Sequence, residues 1–211
     1  MTKYKAIEAV HITTHSGKLE GMHSISTAVK LNPNCRDRRN IKGSICEKCY
    51  AATLTDFRSG LNDWLEYNTA QLTQDFIYPL PIINDKYFRF EAFGDLINDT
   101  QVKNYFRICY ANSKTRFALW TKNPWIIADV LKHASKPENL IIIYSSPIIN
   151  KAVNVKALKK LYPFIDKVFT VYRKAYANEN KVTINFGGNH CLSCLRCYSK
   201  RTADTVNELL K

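Results

Sequence analysis

Short apolar runs alternate along the chain with segments in which apolar residues recur every three or four positions. The short runs predict β-strands, and the longer spacing predicts amphipathic helices. Six strands are predicted in this way, at residues 24–29, 87–93, 116–120, 140–144, 167–172 and 182–186. Because helical segments lie between them, we expect the strands to pair mainly in parallel.

The longest helical pattern covers residues 54–76, and Gly60 is expected to divide it into two helices. The apolar positions of residues 206–210 predict a terminal amphipathic helix. Six strand-helix units are fewer than the eight of a closed (β/α) barrel, and 211 residues fit one domain. We therefore predict an α/β fold, a partial (β/α) barrel of about six mainly parallel strands, as a single domain over residues 1–211.

Charged residues interrupt the second predicted strand in an informative way. Phe88 and Phe90 share one face, whereas Arg89, Glu91 and, past the turn, Asp95 share the other. Charges on a covered sheet are costly unless they line a polar cavity or pair with each other. Arg89, Glu91 and Asp95 are therefore candidate catalytic residues, and the alternative is a buried Arg89–Glu91 pair with Asp95 capping the next helix.

Further polar residues follow other predicted strands, at the end where parallel α/β folds place their active sites. Lys122 follows the third strand and is a candidate contact for a carboxylate or phosphate, although an ordinary solvated lysine explains it equally well. Ser145, Ser146 and Asn185 offer neutral hydrogen-bonding groups on the same side.

The chain is basic, with 31 Lys and Arg against 18 Asp and Glu and a net charge of +13. That charge is compatible with a nucleic-acid partner, but the basic residues are spread through every segment and form no single block. No apolar run approaches the ~20 residues of a membrane span, and the N-terminus lacks a secretory pattern. We expect a cytoplasmic protein with no membrane association.

Six of the seven cysteines form two groups of three. Cys35, Cys46 and Cys49 lie in a predicted loop, residues 35–49, after the first strand. A second loop at residues 190–198, reached through the predicted Gly187–Gly188 turn, follows the last strand and contains Cys191, Cys194 and Cys197. In a reducing compartment such thiols remain available for metal. Three thiolates leave one iron of a [4Fe-4S] cluster open, which predicts one or two such clusters.

Zinc is the competing interpretation, because structural zinc sites normally have four ligands. Cys46, Cys49, Cys191 and Cys194 are the candidate set, with His190 as a further ligand. The protein is then a zinc module that binds nucleic acid through its basic surface. A third interpretation is an electron carrier or cluster-storage protein with no substrate. Cys109 stands apart on an apolar helix face and is predicted to be a core residue.

The order of a strand, a cysteine loop, a long helix and a second strand ending in Gly-Asp resembles radical S-adenosylmethionine enzymes. More closely, the chain resembles a phage-encoded, radical-SAM-like family named after gene product eighty-eight of a mycobacteriophage. The residues that carry this resemblance are Cys46-x2-Cys49-Tyr50-Ala51, Asn68, Arg89-x-Glu91-x2-Gly94-Asp95, Trp120-Thr121-Lys122 and Cys191-x2-Cys194-x2-Cys197-Tyr198. The ten-residue gap before Cys46 and the lysine at position 48 differ from the usual radical-SAM pattern.

The resemblance implies a cofactor type more than a substrate. It implies [4Fe-4S] clusters and S-adenosylmethionine. Gly94, Asp95 and Asn185 would form the S-adenosylmethionine-binding site, and Asp95 would accept a hydrogen bond from the ammonium group of this cofactor. Arg89 and Glu91 would line the cavity below. It also implies redox chemistry, with a ferredoxin or flavodoxin as electron donor and the host cytoplasm as location.

Overall fold

The computed structural model describes residues 9–186 and 190–210, and these residues form seven strands, eight α-helices and two short 3-10 helices. The strands are β1 (Thr13–Thr14), β2 (His23–Ile25), β3 (Tyr87–Phe90), β4 (Arg116–Thr121), β5 (Leu140–Ser145), β6 (Lys167–Tyr172) and β7 (Thr205–Leu209). The α-helices are α1 (Pro33–Arg39), α2 (Tyr50–Phe57), α3 (Ser59–Gln74), α4 (Asp99–Ala111), α5 (Pro124–Leu131), α6 (Val155–Leu161), α7 (Lys174–Glu179) and α8 (Cys191–Cys194). The 3-10 helices are Gly17–Leu19 and Arg196–Tyr198.

The strands form one sheet whose spatial order is the order of the sequence, β1 to β7. β1 pairs antiparallel with β2, and every later pair is parallel. β1 and β7 stand at the two edges, so the sheet is open and does not close into a barrel. The predicted mixed α/β class with mainly parallel strands is confirmed, with seven strands where six were expected.

One face of the sheet is covered by helices. Aliphatic residues form most of this core, and an aromatic stack lies within it: the Phe90 ring stacks on Tyr105 of α4 with centroids 4.2 Å apart and on Phe117 of β4 at 5.0 Å. Leu72 of α3 and the apolar faces of α4 and α5 complete it. Cys109 is fully buried here, as its position on an apolar helix face predicted. The main helical layer therefore lies on one side of the sheet, whereas a doubly wound sheet has such a layer on each side.

The opposite face, which we term the inner face, is formed by the alternate side chains of the central strands. They are Arg89, Ala118, Trp120, Ile141 and Ile143. Residues 190–198, the C-terminal cysteine segment, pack against this face through Tyr198, which contacts Met22 and places its ring 5.4 Å from that of Tyr87. Two layers of different kind thus enclose the sheet.

Two predicted strand ends change in the structure. The first strand, β2, ends at Ile25, and β3 ends at Phe90 because the next residue, Glu91, has a positive φ of 58°. The long helical pattern is divided into two helices as predicted, but the break falls at Arg58 and Gly60 lies in the first turn of α3. No helix among residues 9–186 and 190–210 combines the length and apolarity that crossing a bilayer requires.

The C-terminal prediction is wrong in two respects. Residues 205–209 form strand β7, where a helix was expected, and they pair with β6 over five residues. Residues 182–186 form no strand, although they lie beside β7, where Asn185 Oδ1 accepts a hydrogen bond from Asn207 N at 2.8 Å. The C-terminal cysteine segment accordingly precedes the last strand. The predicted Gly187–Gly188 turn lies outside the described residues.

Candidate functional site

The first cysteine group lines a cleft beyond the carboxyl ends of β3 and β4, which we term the cysteine cleft. Its walls are Val29, Cys35, Arg38, Arg39, Cys46, Cys49, Phe93, Gly94, Asp95 and Lys122, and the cavity between them has a volume of about 40 Å³. The fold thus brings three thiols separated by up to fourteen positions in the sequence to one place, together with Gly94, Asp95 and Lys122 of the predicted site.

Cys35 owes its position to the start of helix α1. Asn32 caps this helix by accepting a hydrogen bond from Cys35 N, and Pro33 occupies the first turn, where no donor is needed. The Asn32 amide also donates to Asp95 O at 2.8 Å. A single buried asparagine therefore fixes the first cysteine relative to the loop that follows β3.

Cys46 and Cys49 are held by the loop between α1 and α2. Ser44 Oγ accepts a hydrogen bond from Cys46 N at 3.0 Å, and Ile45 N donates to Pro147 O, beyond the end of β5, at 2.8 Å. Cys49 directly precedes α2, and the hydroxyl of the next residue, Tyr50, donates to Ala92 O. These bonds tie the loop to two strand ends.

Asp95 connects the ends of the two central strands. Its carboxylate accepts hydrogen bonds from Thr121 Oγ1 at 2.6 Å, from Lys122 N at 3.0 Å and from Leu96 N at 2.8 Å. It does not cap α4, which begins after Asn98. Its second oxygen, Oδ2, receives only the Lys122 amide within the described residues and lies at the cleft wall.

Gly94 and Glu91 form a tightly packed support beneath the cleft. A Cβ at position 94 would lie 2.5 Å from Thr27 O and 2.6 Å from Glu91 Oε2, so the backbone approach requires glycine. Glu91 is 2 % exposed and accepts hydrogen bonds from Thr27, from Gln101 Nε2 at 2.6 Å and from the Tyr105 hydroxyl. Burial raises the pKa of Glu91 to about 7, against the opposing effect of these hydrogen bonds.

The prediction that Arg89 and Glu91 share one face is wrong. The positive φ of Glu91 breaks the strand alternation and directs its carboxylate to Gln101 and Tyr105 of α4, on the helix-covered side. Arg89 stays on the inner face, with its guanidinium carbon 3.9 Å from the centre of the Trp120 ring. The alternative of a buried Arg89–Glu91 pair is therefore also wrong.

Positive charge surrounds the thiols of the cysteine cleft. Arg38 is oriented by hydrogen bonds from Nη2 to Lys122 O at 3.2 Å and to Asn123 Oδ1. Burial and the neighbouring Asp95 raise the pKa of the Cys35 thiol, while Lys122 acts in the opposite direction. Burial disfavours the charge of Lys122, yet Asp95 and the thiols of Cys46 and Cys35 raise its pKa. A thiolate formed here has cations beside it.

The second cysteine group has a different environment, against the inner face. Cys191 and Cys197 pack near Met22, Ile143 and Tyr198. Burial raises the pKa of Cys197 to about 12, and the Arg89 guanidinium acts to lower it.

Lys167 holds the chain that follows this group. Although it is 1 % exposed, its ammonium donates to Thr202 O at 3.1 Å, Thr202 Oγ1 at 2.8 Å and Ala203 O at 3.0 Å. Three acceptors satisfy the three donors of a lysine ammonium. The C-terminal cysteine segment is thereby fixed from its far end.

The two groups do not meet. The first packs with Val29, Ala51 and Ala52 and the second on the inner face, so Cys46, Cys49, Cys191 and Cys194 do not assemble the four-thiolate site of the zinc interpretation. In the described part of the chain no three His, Cys, Asp or Glu side chains lie close enough for one metal ion. The seven cysteines, all within that part, are free thiols.

Several residues important to this geometry were not identified from the sequence. Arg38 lines the cleft, but in the sequence nothing distinguishes it from the basic residues spread through every segment. Lys167 begins a predicted strand, and a single charged residue in an otherwise apolar run was the only sequence feature that could have indicated its role. Asn185, predicted to bind S-adenosylmethionine, lies beside β7 and is not part of the cleft wall.

Comparison with known proteins identifies one family. No curated protein sequence and no solved structure matches the chain. A family model described as "Gene product 88" matches residues 4–208, a span that includes both cysteine groups, the cysteine cleft and the inner face. This match agrees with the family that the cysteine, Gly-Asp and Thr-Lys motifs predicted. The chain belongs to the gene product 88 family.

Proposed function

We propose that this protein binds [4Fe-4S] clusters and carries out redox chemistry of the radical-SAM-like kind in the host cytoplasm. Cys35, Cys46 and Cys49 would hold one cluster, and Cys191, Cys194 and Cys197 a second. The observation that carries the proposal is the convergence of three thiols on one cleft at the carboxyl ends of parallel strands. This is the end of the sheet where parallel α/β folds place their active sites.

The donor set of the cysteine cleft fits a cubane cluster. Three thiolates leave one iron open to a further ligand, whereas closed zinc sites have four protein ligands. Arg38, Arg39 and Lys122 offset the negative charge of a thiolate-bound cluster. When bound, such a cluster supplies an electron to S-adenosylmethionine or directly to a substrate.

Two residues at the cleft wall suit a ligand with both an ammonium and a carboxylate group. Asp95 Oδ2 retains acceptor capacity toward an ammonium, since only the Lys122 amide bonds to it within the described residues. The Lys122 ammonium is available for a carboxylate at the same wall. The amino-acid moiety of S-adenosylmethionine has these two groups, and a ferredoxin or flavodoxin would be the electron donor.

The architecture supports the same proposal. Strands in sequential order with helices on one face are the arrangement of a (β/α) barrel that stops before closure. The inner face then corresponds to the interior of a partial barrel, and the cysteine cleft lies at its upper rim. A doubly wound fold would reverse its strand order and cover both faces with helices.

Anaerobic reconstitution with iron and sulfide tests the cofactor. The wild-type protein should hold about eight irons and eight sulfides, as two cubanes require, and each triple variant, C35A/C46A/C49A or C191A/C194A/C197A, about four of each. C109A is the matched control and should retain the wild-type content, because this thiol lies in the apolar core. Stoichiometric zinc without sulfide in the purified protein would contradict the proposal.

The chemistry is tested separately with the reduced, reconstituted protein and S-adenosylmethionine. Formation of 5′-deoxyadenosine supports the radical-SAM-like assignment, and C35A/C46A/C49A should abolish it while C109A does not. Intact clusters without this product would show that the S-adenosylmethionine part is wrong and would favour an electron carrier.

A further inference from the structure

Arg89 has an unusual position at the centre of the inner face. It lies in β3 between Ser24 of β2 and Ala118 of β4, its register partners in the two parallel ladders. Both neighbours have small side chains. Cys191, Cys197 and Tyr198 of the C-terminal cysteine segment lie close enough for Arg89 to affect their pKa values.

The guanidinium group of Arg89 has no anionic partner among the described residues. Its Nε is buried with no hydrogen-bond acceptor, and its contact within that part of the chain is the Trp120 ring at 3.9 Å. Removing a cation from water without pairing it is costly. The aromatic ring lowers that cost only in part, but it holds the planar group in one orientation. The terminal nitrogens thus form a fixed fork of donors.

Two neutral polar side chains lie beside Arg89. His15 Nε2 lies 2.7 Å from Ser24 Oγ, so the two side chains form a hydrogen-bonded pair beside Arg89. Burial, together with the charges of Arg89 and His23, lowers the pKa of His15 to about 4. His15 is therefore uncharged near pH 7 and adds hydrogen-bonding capacity without adding charge. A guanidinium group beside a neutral hydrogen-bonding pair favours a singly or doubly charged oxyanion.

We propose that the inner face binds an anionic small molecule whose carboxylate or phosphate group pairs with the Arg89 guanidinium. Trp120 fixes the orientation of the guanidinium, and the Ser24–His15 pair supplies neutral hydrogen bonds. Both chemistries present two oxygens that match the fork of an arginine. As a statement about the substrate of the clusters this inference rests on the proposed function, whereas anion binding itself requires only Arg89 and its neighbours.

Calorimetric titration of the reconstituted protein with orthophosphate and with succinate tests the proposal. Wild-type protein should bind one of the two probes, and the one it binds identifies the group. Arg89→Gln should weaken that binding about tenfold or more, because it removes a charge-assisted hydrogen-bonded pair. Arg89→Lys, which keeps the charge but lacks the fork, should show an intermediate loss. Arg58→Gln removes the same charge from the exposed junction of α2 and α3 and should bind as wild type.

Two results would overturn the proposal: neither probe binds the wild-type protein, or Arg89→Gln binds as tightly as wild type. If Arg89 instead compensates the thiolates of Cys191 and Cys197, Arg89→Gln will lose iron and sulfide from the C-terminal group while the wild-type titration stays flat. Failure of the proposed function has a different signature, because a protein without iron would still bind the probe through Arg89. Should Arg89→Gln fail to fold, Arg89→Lys supplies the same comparison.

Discussion

The two cysteine groups are positioned by different physical means. At the cysteine cleft, buried polar side chains such as Asn32 and Asp95 form hydrogen bonds between strand ends and the cysteine-bearing segments. The C-terminal cysteine segment depends on an apolar face, where Tyr198 packs with Met22 and with inner-face residues. The first group is therefore held by directional bonds and the second mainly by burial.

This difference has a consequence for chemistry. The cysteine cleft opens toward solvent and has cations and Asp95 at its wall. The second group lies against aromatic rings, with burial as the main influence on the thiol pKa values of Cys191 and Cys197. Exposure and nearby charge are among the factors that set the reduction potential of a cluster. Two clusters with different roles are the expected outcome.

The strongest test of this comparison is Tyr198→Ala. The tyrosine is 2 % exposed, and its loss should lower the free energy of unfolding by about 3 kcal/mol, as for other large buried aromatic side chains. Denaturant unfolding measures the change, and iron analysis should show loss from the C-terminal group only.

Tyr198→Phe is the matched control, since the hydroxyl has only a long contact of 3.9 Å to Met22 Sδ. It should change the free energy of unfolding by less than about 1 kcal/mol. A comparable loss of iron from both groups in Tyr198→Ala would contradict the view that they are held independently.

Much of the central sheet could be predicted because it is apolar and repetitive. β6 has the predicted bounds, and β5 differs by one residue, since buried parallel strands read as continuous apolar runs. The convergence of Cys35, Cys46 and Cys49 also followed from their position after a strand of a mainly parallel sheet. Topology places such residues at one edge whatever the details of the loop.

Other features depend on interactions that no local pattern contains. Glu91 leaves the predicted charged face because a positive φ at the strand end directs it to partners on α4, ten and fourteen residues away. In β7, Val206 and Leu209 have a spacing compatible with a helix, and pairing with β6 decides for a strand. Tertiary contacts of this kind override local propensity.

A second prediction concerns the pH dependence of the support beneath the cysteine cleft. Because the pKa of Glu91 is raised from an ordinary 4.5 to about 7, the folded protein binds this proton more tightly than the unfolded chain. Its contribution to stability is complete below pH 4.5 and is lost as the pH rises through 7. The loss should be about 3 kcal/mol. Glu91→Gln, which stays neutral, should not show it.

The measurement is the difference in unfolding free energy between wild type and Glu91→Gln from pH 4.5 to pH 8. The difference is needed because the pKa of His15 is lowered to about 4 in the folded protein. Its contribution to the unfolding free energy therefore increases as the pH rises, over a range that overlaps that of Glu91. A difference that stays constant with pH would show that Glu91 is ionised throughout, its hydrogen bonds outweighing its burial.

The smallest effect is expected from Asp95→Asn. This variant changes the cysteine cleft and tests whether the first cysteine group is held independently of the second. An amide at this position directs at least one N–H toward Thr121, Lys122 N or Leu96 N, all of which donate to Asp95 now. The unfolding free energy should fall by about 2 kcal/mol, the usual cost of a buried unpaired donor.

In the C191A/C194A/C197A background Asp95→Asn should also reduce iron content, whereas in C35A/C46A/C49A it should not. Asp129→Asn alters an exposed carboxylate that pairs with Lys132 and should cost less than about 0.5 kcal/mol. Equal iron loss in both backgrounds would mean that Asp95 supports the sheet as a whole and not the first group alone.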